Sequence, residues 1–241
     1  MESVRIDLGS TALSGELYAP PGSRGIVVFG HCDVVERQGL RSRLMTQALH
    51  WAGFATLLVD LTTNVKAQPD EPPPSSRFNL ELLATRLAAT TDWLQRDRRT
   101  EGLPVGYFGA GAGAGVALLA AARRPALVCA IVAGGGRTDL AGDAIRQVRA
   151  STLLVVGEGD AALAAINRED AKRTLGLSRL ELVPRVAQIF EDPGAIDRLA
   201  KLSVEWFQAR LTPLSGTRLS AAAPVSPGSS GTSGTPVAPA A

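Results

Sequence analysis

The chain has 241 residues, of which 45% are hydrophobic and 20% are charged, and its formal net charge is +2. This length predicts one large domain, and the apolar fraction is sufficient to bury a core without disulfide or metal support. The near balance of 25 basic and 23 acidic residues excludes an electrostatic nucleic-acid binder. The two cysteines show no metal-binding spacing, and the first twenty residues contain no apolar signal segment, so we expect a cytoplasmic protein without a bound metal.

Short β-rich runs alternate along the chain with longer segments of helical periodicity. The predicted strands are Val4–Leu8, Gly15–Tyr18, Ile26–Phe29, Ala55–Asp60, Val105–Phe108, Val128–Val132, Thr152–Val156 and Leu180–Val183. The predicted helices are Arg41–Ala52, Leu80–Arg96, Ala114–Arg123, Ala162–Thr174 and Ala195–Leu211. Continuous apolar runs in the later strands indicate strands covered on both faces. The pattern predicts the α/β class, with a doubly wound, mostly parallel sheet of about eight strands and helices on both faces.

Three further segments have distinctive compositions. The stretch from Leu103 to Ala122 carries no charge, but its proline and glycines predict a buried strand, a turn and a buried helix rather than a membrane span. Residues 62–78 form a polar, proline-rich loop, interpreted either as a lid over a ligand crevice or as an insertion without function. Residues 213–241 are rich in Gly, Ser, Pro and Ala and predict a disordered tail after a domain spanning residues 1–212.

The most informative segment is the glycine-rich turn Val105-Gly106-Tyr107-Phe108-Gly109-Ala110-Gly111-Ala112-Gly113-Ala114-Gly115 between a predicted strand and a helix. Other blocks follow in order along the chain: Phe29-Gly30-His31, Gly134-Gly135-Gly136-Arg137, Val156-Gly157 with Asp160, and Phe190-Glu191-Asp192-Pro193-Gly194. Over about residues 1–211 the chain resembles the dienelactone-hydrolase-like branch of the α/β-hydrolase superfamily. The resemblance implies an α/β-hydrolase fold with a crevice above the carboxyl ends of the strands.

Enzymes of that family hydrolyse esters or lactones with a nucleophile in a turn of pattern G-x-S-x-G, an Asp and a His. The resemblance places Gly111 at the nucleophile, Gln188 at the histidine and Asp160 at the carboxylate. A glycine has no side chain that could attack a substrate, and an amide does not act as a general base near neutral pH. Both histidines, His31 and His50, precede the turn, so the family order of nucleophile, acid and base cannot be built.

The segment after His31 also departs from the family pattern. It reads Cys32-Asp33-Val34-Val35-Glu36 where the resemblance implies a small-residue loop that holds an oxyanion. Carboxylates at that place oppose negative charge instead of stabilising it. The predicted ligand-pocket residues are His31, Cys32, Asp33, Gly109, Ala110, Gly111, Ala112, Arg137, Asp160 and Gln188.

Alternative interpretations of single motifs remain open. The turn also matches the dinucleotide fingerprint G-x-G-x-x-A, although the next strand does not end in the expected acidic residue. The helix N-terminus after the turn, assisted by Arg137, is a further candidate for an anionic ligand. Cys32 beside His31 is an alternative nucleophile, while Cys129, within an apolar strand, is predicted to lie in the core.

The preferred hypothesis is a non-hydrolytic pseudoenzyme, without a cofactor, that binds a small molecule or a protein partner. One alternative is an enzyme that uses Asp33, Glu36, Asp160 or Gln188 without a nucleophile. Another is an ester or lactone hydrolase with an altered mechanism. We expect neither nucleic-acid nor membrane binding.

Overall fold

The computed structural model describes residues 1–9, 11–31, 39–62 and 80–211, which contain an eight-stranded sheet. Its strands are β1 (Glu2–Asp7), β2 (Ala12–Tyr18), β3 (Ile26–His31), β4 (Ala55–Asp60), β5 (Val105–Ala110), β6 (Val128–Gly134), β7 (Ser151–Gly157) and β8 (Ser178–Val183). The strand order is β1-β2-β4-β3-β5-β6-β7-β8. The pairs β1/β2 and β2/β4 are antiparallel, and the other pairs are parallel.

Within the described ranges, five α-helices cover the two faces of this sheet. They are α1 (Leu40–Trp51), α2 (Leu80–Leu94), α3 (Ala112–Arg123), α4 (Ala161–Ala171) and α5 (Pro193–Arg210), with 3₁₀ segments at Thr138–Gln147 and Ile189–Glu191. One core cluster joins the sheet to α2, α3 and the longer 3₁₀ segment, and a second joins it to α1 and α5. Consecutive residues of β3 enter different clusters, Val27 the second and Val28 the first, because side chains alternate across a strand.

The strand order changes direction at β3. From β3 the chain moves to β4 on one side, and it later returns to β5 on the other side. In open α/β sheets the crevice outside the carboxyl ends of such strands is the usual ligand site. The fold therefore brings His31 and the turn after Ala110 to the same edge of the sheet.

These elements confirm the predicted fold class and the interpretation of the charge-free stretch, which forms β5, the turn and α3. Among the helices in the described ranges, none combines the length and the apolarity needed to cross a bilayer. The tail at 213–241, Cys32, Asp33, Glu36 and all but the first residue of the loop at 62–78 lie outside the described residues. The predictions on these segments stay predictions.

The expectation that Cys129 lies in the core is wrong, because its side chain is exposed. The register between β5 and β6 pairs Val105 with Val128 and then Gly106 with Ala130, so Cys129 is an extra residue in a β-bulge. A bulge breaks the alternation of side chains between the two faces and turns the inserted residue out of the regular pattern. An apolar neighbourhood in sequence gives no sign of this shift.

Candidate functional site

A pocket of about 770 Å³ opens at the carboxyl ends of β3 and β5. Its described walls come from five separate parts of the chain, which the fold brings together. The described lining residues are Phe29, Gly30, His31, Gly39, Ser42, Leu44, Met45, Phe108, Ala110, Gly111, Gly135, Gln188, Phe190, Glu191, Pro193 and Ile196. A mostly apolar pocket of this size with a few polar groups is typical of a small-molecule site.

Gly111 forms the sharp corner between β5 and α3. Its φ of 50° and ψ of −125° lie in a region that L residues with side chains rarely adopt. A Cβ built on Gly111 would meet no other atom within 4 Å. The corner therefore has room for a side chain, although the backbone conformation would strain any residue other than glycine.

The corner is held by hydrogen bonds from the loop after β6. The backbone N–H of Arg137 donates to the carbonyl oxygen of Gly111 at 2.9 Å. The side-chain amide of Asn167, fully buried on α4, donates to the carbonyl oxygen of Gly136 at 2.9 Å. The position of Gly111 thus depends on backbone groups of the β6 loop and on α4, and not on a side chain of its own.

Gly109 permits the close approach of β5 and α3. A Cβ on Gly109 would lie 2.6 Å from the carbonyl oxygen of Gly113 and 2.7 Å from Cα of Ala114. Contacts this short with backbone atoms cannot be relieved by rotating a side chain. Because α3 starts directly after Gly111, the N–H groups of Ala112 and Gly113 have no partner within the helix, whereas that of Ala114 donates to the carbonyl oxygen of Gly111 at 3.2 Å.

The loops that carry Asp160 and Gln188 are in contact. The N–H of Gly159 donates to the carbonyl oxygen of Val186 at 2.8 Å, two residues before Gln188. Gln188 lines the pocket, whereas Asp160 is the N-cap of α4 and accepts a hydrogen bond from the N–H of Leu163 at 3.0 Å. The carboxylate of Asp160 thus has a structural partner, a role typical of N-cap aspartates.

His31 ends β3 at the wall of the pocket. Its Nε2 lies 3.0 Å from Oγ of Ser42 on α1, and its ring stacks with Phe29 at a centroid distance of 6.3 Å. Phe29 in turn contacts the ring of Phe108 at 4.9 Å. The histidine is therefore built into an aromatic and hydroxyl cluster formed by β3, β5 and α1.

The structure brings four of the predicted pocket residues together, namely His31, Ala110, Gly111 and Gln188. Gly109 and Ala112 flank the corner without lining the pocket. Arg137 forms a two-pronged ion pair with Asp139, at 2.8 and 2.7 Å, which raises the pKa of the Arg137 guanidinium. Its side chain is half exposed and does not line the pocket. Cys32 and Asp33 lie outside the described residues.

Sequence reasoning missed most of the apolar lining. Phe29, Phe108 and Phe190 belong to the blocks that carry the resemblance, but their side chains have no catalytic chemistry that would mark them as site residues. Their positions directly beside predicted strand ends were the available signal. Among the described residues, no group of three or more His, Cys, Asp or Glu side chains could hold a metal ion.

The fold and sequence are similar to those of solved hydrolase structures. A dienelactone hydrolase from Anabaena variabilis has a TM-score of 0.80 and 42% identity, covering 87% of this chain and 97% of that protein. A dienelactone-hydrolase-like promiscuous phosphotriesterase from metagenomic libraries has a TM-score of 0.67 and 19% identity, covering 88% of this chain and 98% of that protein. At that identity the second likeness shows the fold alone.

Two Mycobacterium tuberculosis proteins, from strains CDC 1551 and H37Rv, are each 43% identical to the chain over 206 residues. Both carry the provisional name phosphoribosyl transferase. The match covers 86% of this chain, but the chain spans only 46% of the length of either relative. No protein-family model matches the chain.

Replacing each of two glycines of the turn by alanine should have opposite effects on the free energy of unfolding. In Gly109→Ala the Cβ would collide with the backbone of α3, so we expect a loss of about 2 kcal/mol or more in the free energy of unfolding. In Gly113→Ala the nearest atom is the carbonyl oxygen of Gly30 at 3.5 Å, an ordinary contact. Because alanine favours a helix, Gly113→Ala should stabilise by about 0.5–1 kcal/mol. Urea unfolding of both variants tests the pair, and equal effects would contradict the described packing.

Arg185, in the loop before Gln188, has a φ of 61° and is the one non-glycine residue with positive φ in the described ranges. Replacing it by glycine removes this strain, so Arg185→Gly should raise the free energy of unfolding by about 0.5–1 kcal/mol. Arg198→Gly, on the exposed face of α5, is the matched control and should lower it by about 1 kcal/mol. Thermal or urea unfolding measures both, and a destabilised Arg185→Gly would show that its guanidinium outweighs the strain.

Proposed function

The chain belongs to the dienelactone-hydrolase-like family of α/β hydrolases, and from this membership we propose that it is a non-hydrolytic member that binds a small molecule in the described pocket. The proposal depends mainly on one observation. The corner at Gly111 has strained dihedral angles of the kind expected at a nucleophile position, but Gly111 has no side chain. A Cβ at this residue would meet no other atom within 4 Å, so the space for a side chain is open. A residue without an attacking atom supports binding without covalent chemistry.

The base position supports the same conclusion. Gln188 lines the pocket and presents an amide, which donates and accepts hydrogen bonds but does not take up a proton near neutral pH. Asp160 caps α4 and does not line the pocket, so it supports a positional role more than an acid–base role. These contacts favour binding over the alternative of an enzyme that works with Asp160 or Gln188 alone.

The pocket itself remains suited to a ligand. Its apolar walls include Phe29, Met45, Phe108 and Ile196, while Gln188 supplies a polar partner and the start of α3 lies directly after the lining residue Gly111. A ligand that places a carbonyl oxygen near Gly111 would meet the positive end of the helix dipole. Binding of an uncleaved ester, amide or ketone is chemically consistent with this arrangement.

The test is a hydrolysis assay on small nitrophenyl esters and lactones. The wild type should show no hydrolysis above the background rate. The double variant Gly111→Ser plus Gln188→His should hydrolyse the substrates at least about 100-fold faster than the wild type, since nucleophile and base act as a unit. The serine should cost about 1–3 kcal/mol of backbone strain without a steric clash. Gly135→Ser plus Gln188→His is the matched control, because Gly135 also lines the pocket with a φ of 53° but does not lie at the corner.

Turnover by the wild type that is lost in Asp160→Asn would overturn the proposal. A silent wild type should still retain the uncleaved ester in equilibrium dialysis, with binding weakened by a bulkier residue at the pocket floor such as Ala110→Leu. Absence of any retained ester, together with an inactive but folded double variant, would also count against a ligand-binding pocket.

A second candidate function comes from the mycobacterial relatives. We propose as an alternative that this chain serves as an accessory unit to a phosphoribosyl transferase, since its similarity covers 46% of proteins that carry this provisional name. A chimera tests this idea by replacing the matched 206 residues of the relative with the corresponding residues of this chain. If the relative catalyses phosphoribosyl transfer, the transfer rate of the chimera should lie within about tenfold of the rate of the relative. A tenfold difference corresponds to about 1.4 kcal/mol. A folded chimera with no transfer would contradict the accessory role.

A further inference from the structure

The charges around the pocket are unevenly distributed. Among the described lining residues, Glu191 is the one with a full charge, and none is Lys or Arg. The side chain of Glu191 is exposed, and no ion pair joins it to another described residue. The carboxylate is therefore available to a ligand at the wall of the pocket.

Arg43 on α1, a described neighbour of the lining, does not compensate for this charge. Arg43 lies between the lining residues Ser42 and Leu44, but its own side chain lines an adjacent cleft together with Glu16 and His50. Arg137 is likewise outside the lining and is paired with Asp139. The described part of the pocket is thus an apolar space with a single negative group.

Three of the described lining residues are phenylalanines. Phe29 and Phe108 lie side by side with centroids 4.9 Å apart, and the ring of Phe190 packs over Gly134 and Gly135. The faces of aromatic rings carry partial negative charge and attract cations. The carboxylate and the rings therefore favour the same sign of ligand charge.

We propose that the pocket takes an apolar organic cation, such as an aryl-alkyl ammonium compound, with its positive group at Glu191. This inference rests on the proposed function, because it assigns a ligand class to the same pocket. The N-terminus of α3 favours negative charge, but its influence is confined to the first turn, where a neutral carbonyl oxygen of the ligand satisfies it. A full anion would gain this contact and be repelled by Glu191.

Three probes that share a phenylbutyl body test the ligand class at pH 7.5: 4-phenylbutylammonium, 4-phenylbutanol and 4-phenylbutyrate. Protein-detected NMR titration of the full chain gives the affinities, and shifts at residues 110–111, 135 and 188–191 locate the binding. The ammonium probe should bind at least about fivefold more tightly than the carboxylate, with the alcohol between them. Glu191→Gln should remove this advantage and leave the alcohol unchanged, whereas Glu205→Gln, exposed on α5 outside the lining, should leave all three affinities unchanged.

The outcomes separate this inference from the function on which it rests. Equal binding of all three probes at the pocket, or tightest binding of the carboxylate, overturns the cation preference and leaves the binding function intact. An ammonium advantage that survives in Glu191→Gln overturns the assigned role of that residue. No shift at the pocket with any probe up to its solubility limit overturns both the inference and the proposed binding function.

Discussion

The hydrogen bond from the N–H of Arg137 to the carbonyl oxygen of Gly111 is the contact on which the geometry of the site depends. It joins the corner between β5 and α3 to the loop after β6, and Asn167 secures that loop from α4. Gly109 lets the strand and the helix approach closely enough for this contact to form. The shape of the crevice is therefore maintained by backbone atoms and one buried amide, without any catalytic side chain.

The backbone geometry of this site does not depend on the presence of reactive side chains. The corner keeps its positive φ, and the loops that carry Asp160 and Gln188 remain in contact through Gly159 and Val186. In an enzyme, the strain of a side chain at such a corner is tolerated because it exposes the nucleophile. Glycine adopts this conformation without that strain, so the residue present at the corner of this chain lowers the conformational cost of the turn.

Much of the fold could be predicted because periodicity and turn chemistry report local structure. Leu83, Leu87 and Leu94 follow a helical spacing and are buried along α2. The side of the sheet on which Cys129 falls could not be predicted, since the bulge depends on the register between β5 and β6. The sequence places Arg137 near the turn, but it does not show that the guanidinium of Arg137 donates to the carboxylate of Asp139. Such pairings depend on local rotamers and distances that spacing along the chain does not specify.

The aromatic lining illustrates a related limit. Phe190 and Glu191 belong to a short block before α5, and their shared position at the pocket arises from the path of the chain after β8. A pattern of catalytic residue types singles out Gly111 and Gln188, which differ from the residues that the resemblance implies at those positions. Most residues that define the space itself are ordinary hydrophobic residues, and only the packing of five chain segments distinguishes them from core.

The contact between α4 and the β6 loop has a consequence for motion. Because Asn167 is fully buried and its amide bonds the carbonyl oxygens of both Gly136 and Leu163, moving the β6 loop away from the corner at Gly111 also breaks the contact of that loop with α4. Local opening of this kind has a free-energy cost that can approach that of global unfolding. The amide protons of Arg137 and Ala114 should accordingly exchange with solvent as slowly as those of the central strands, so that the crevice is preformed and not created by its ligand.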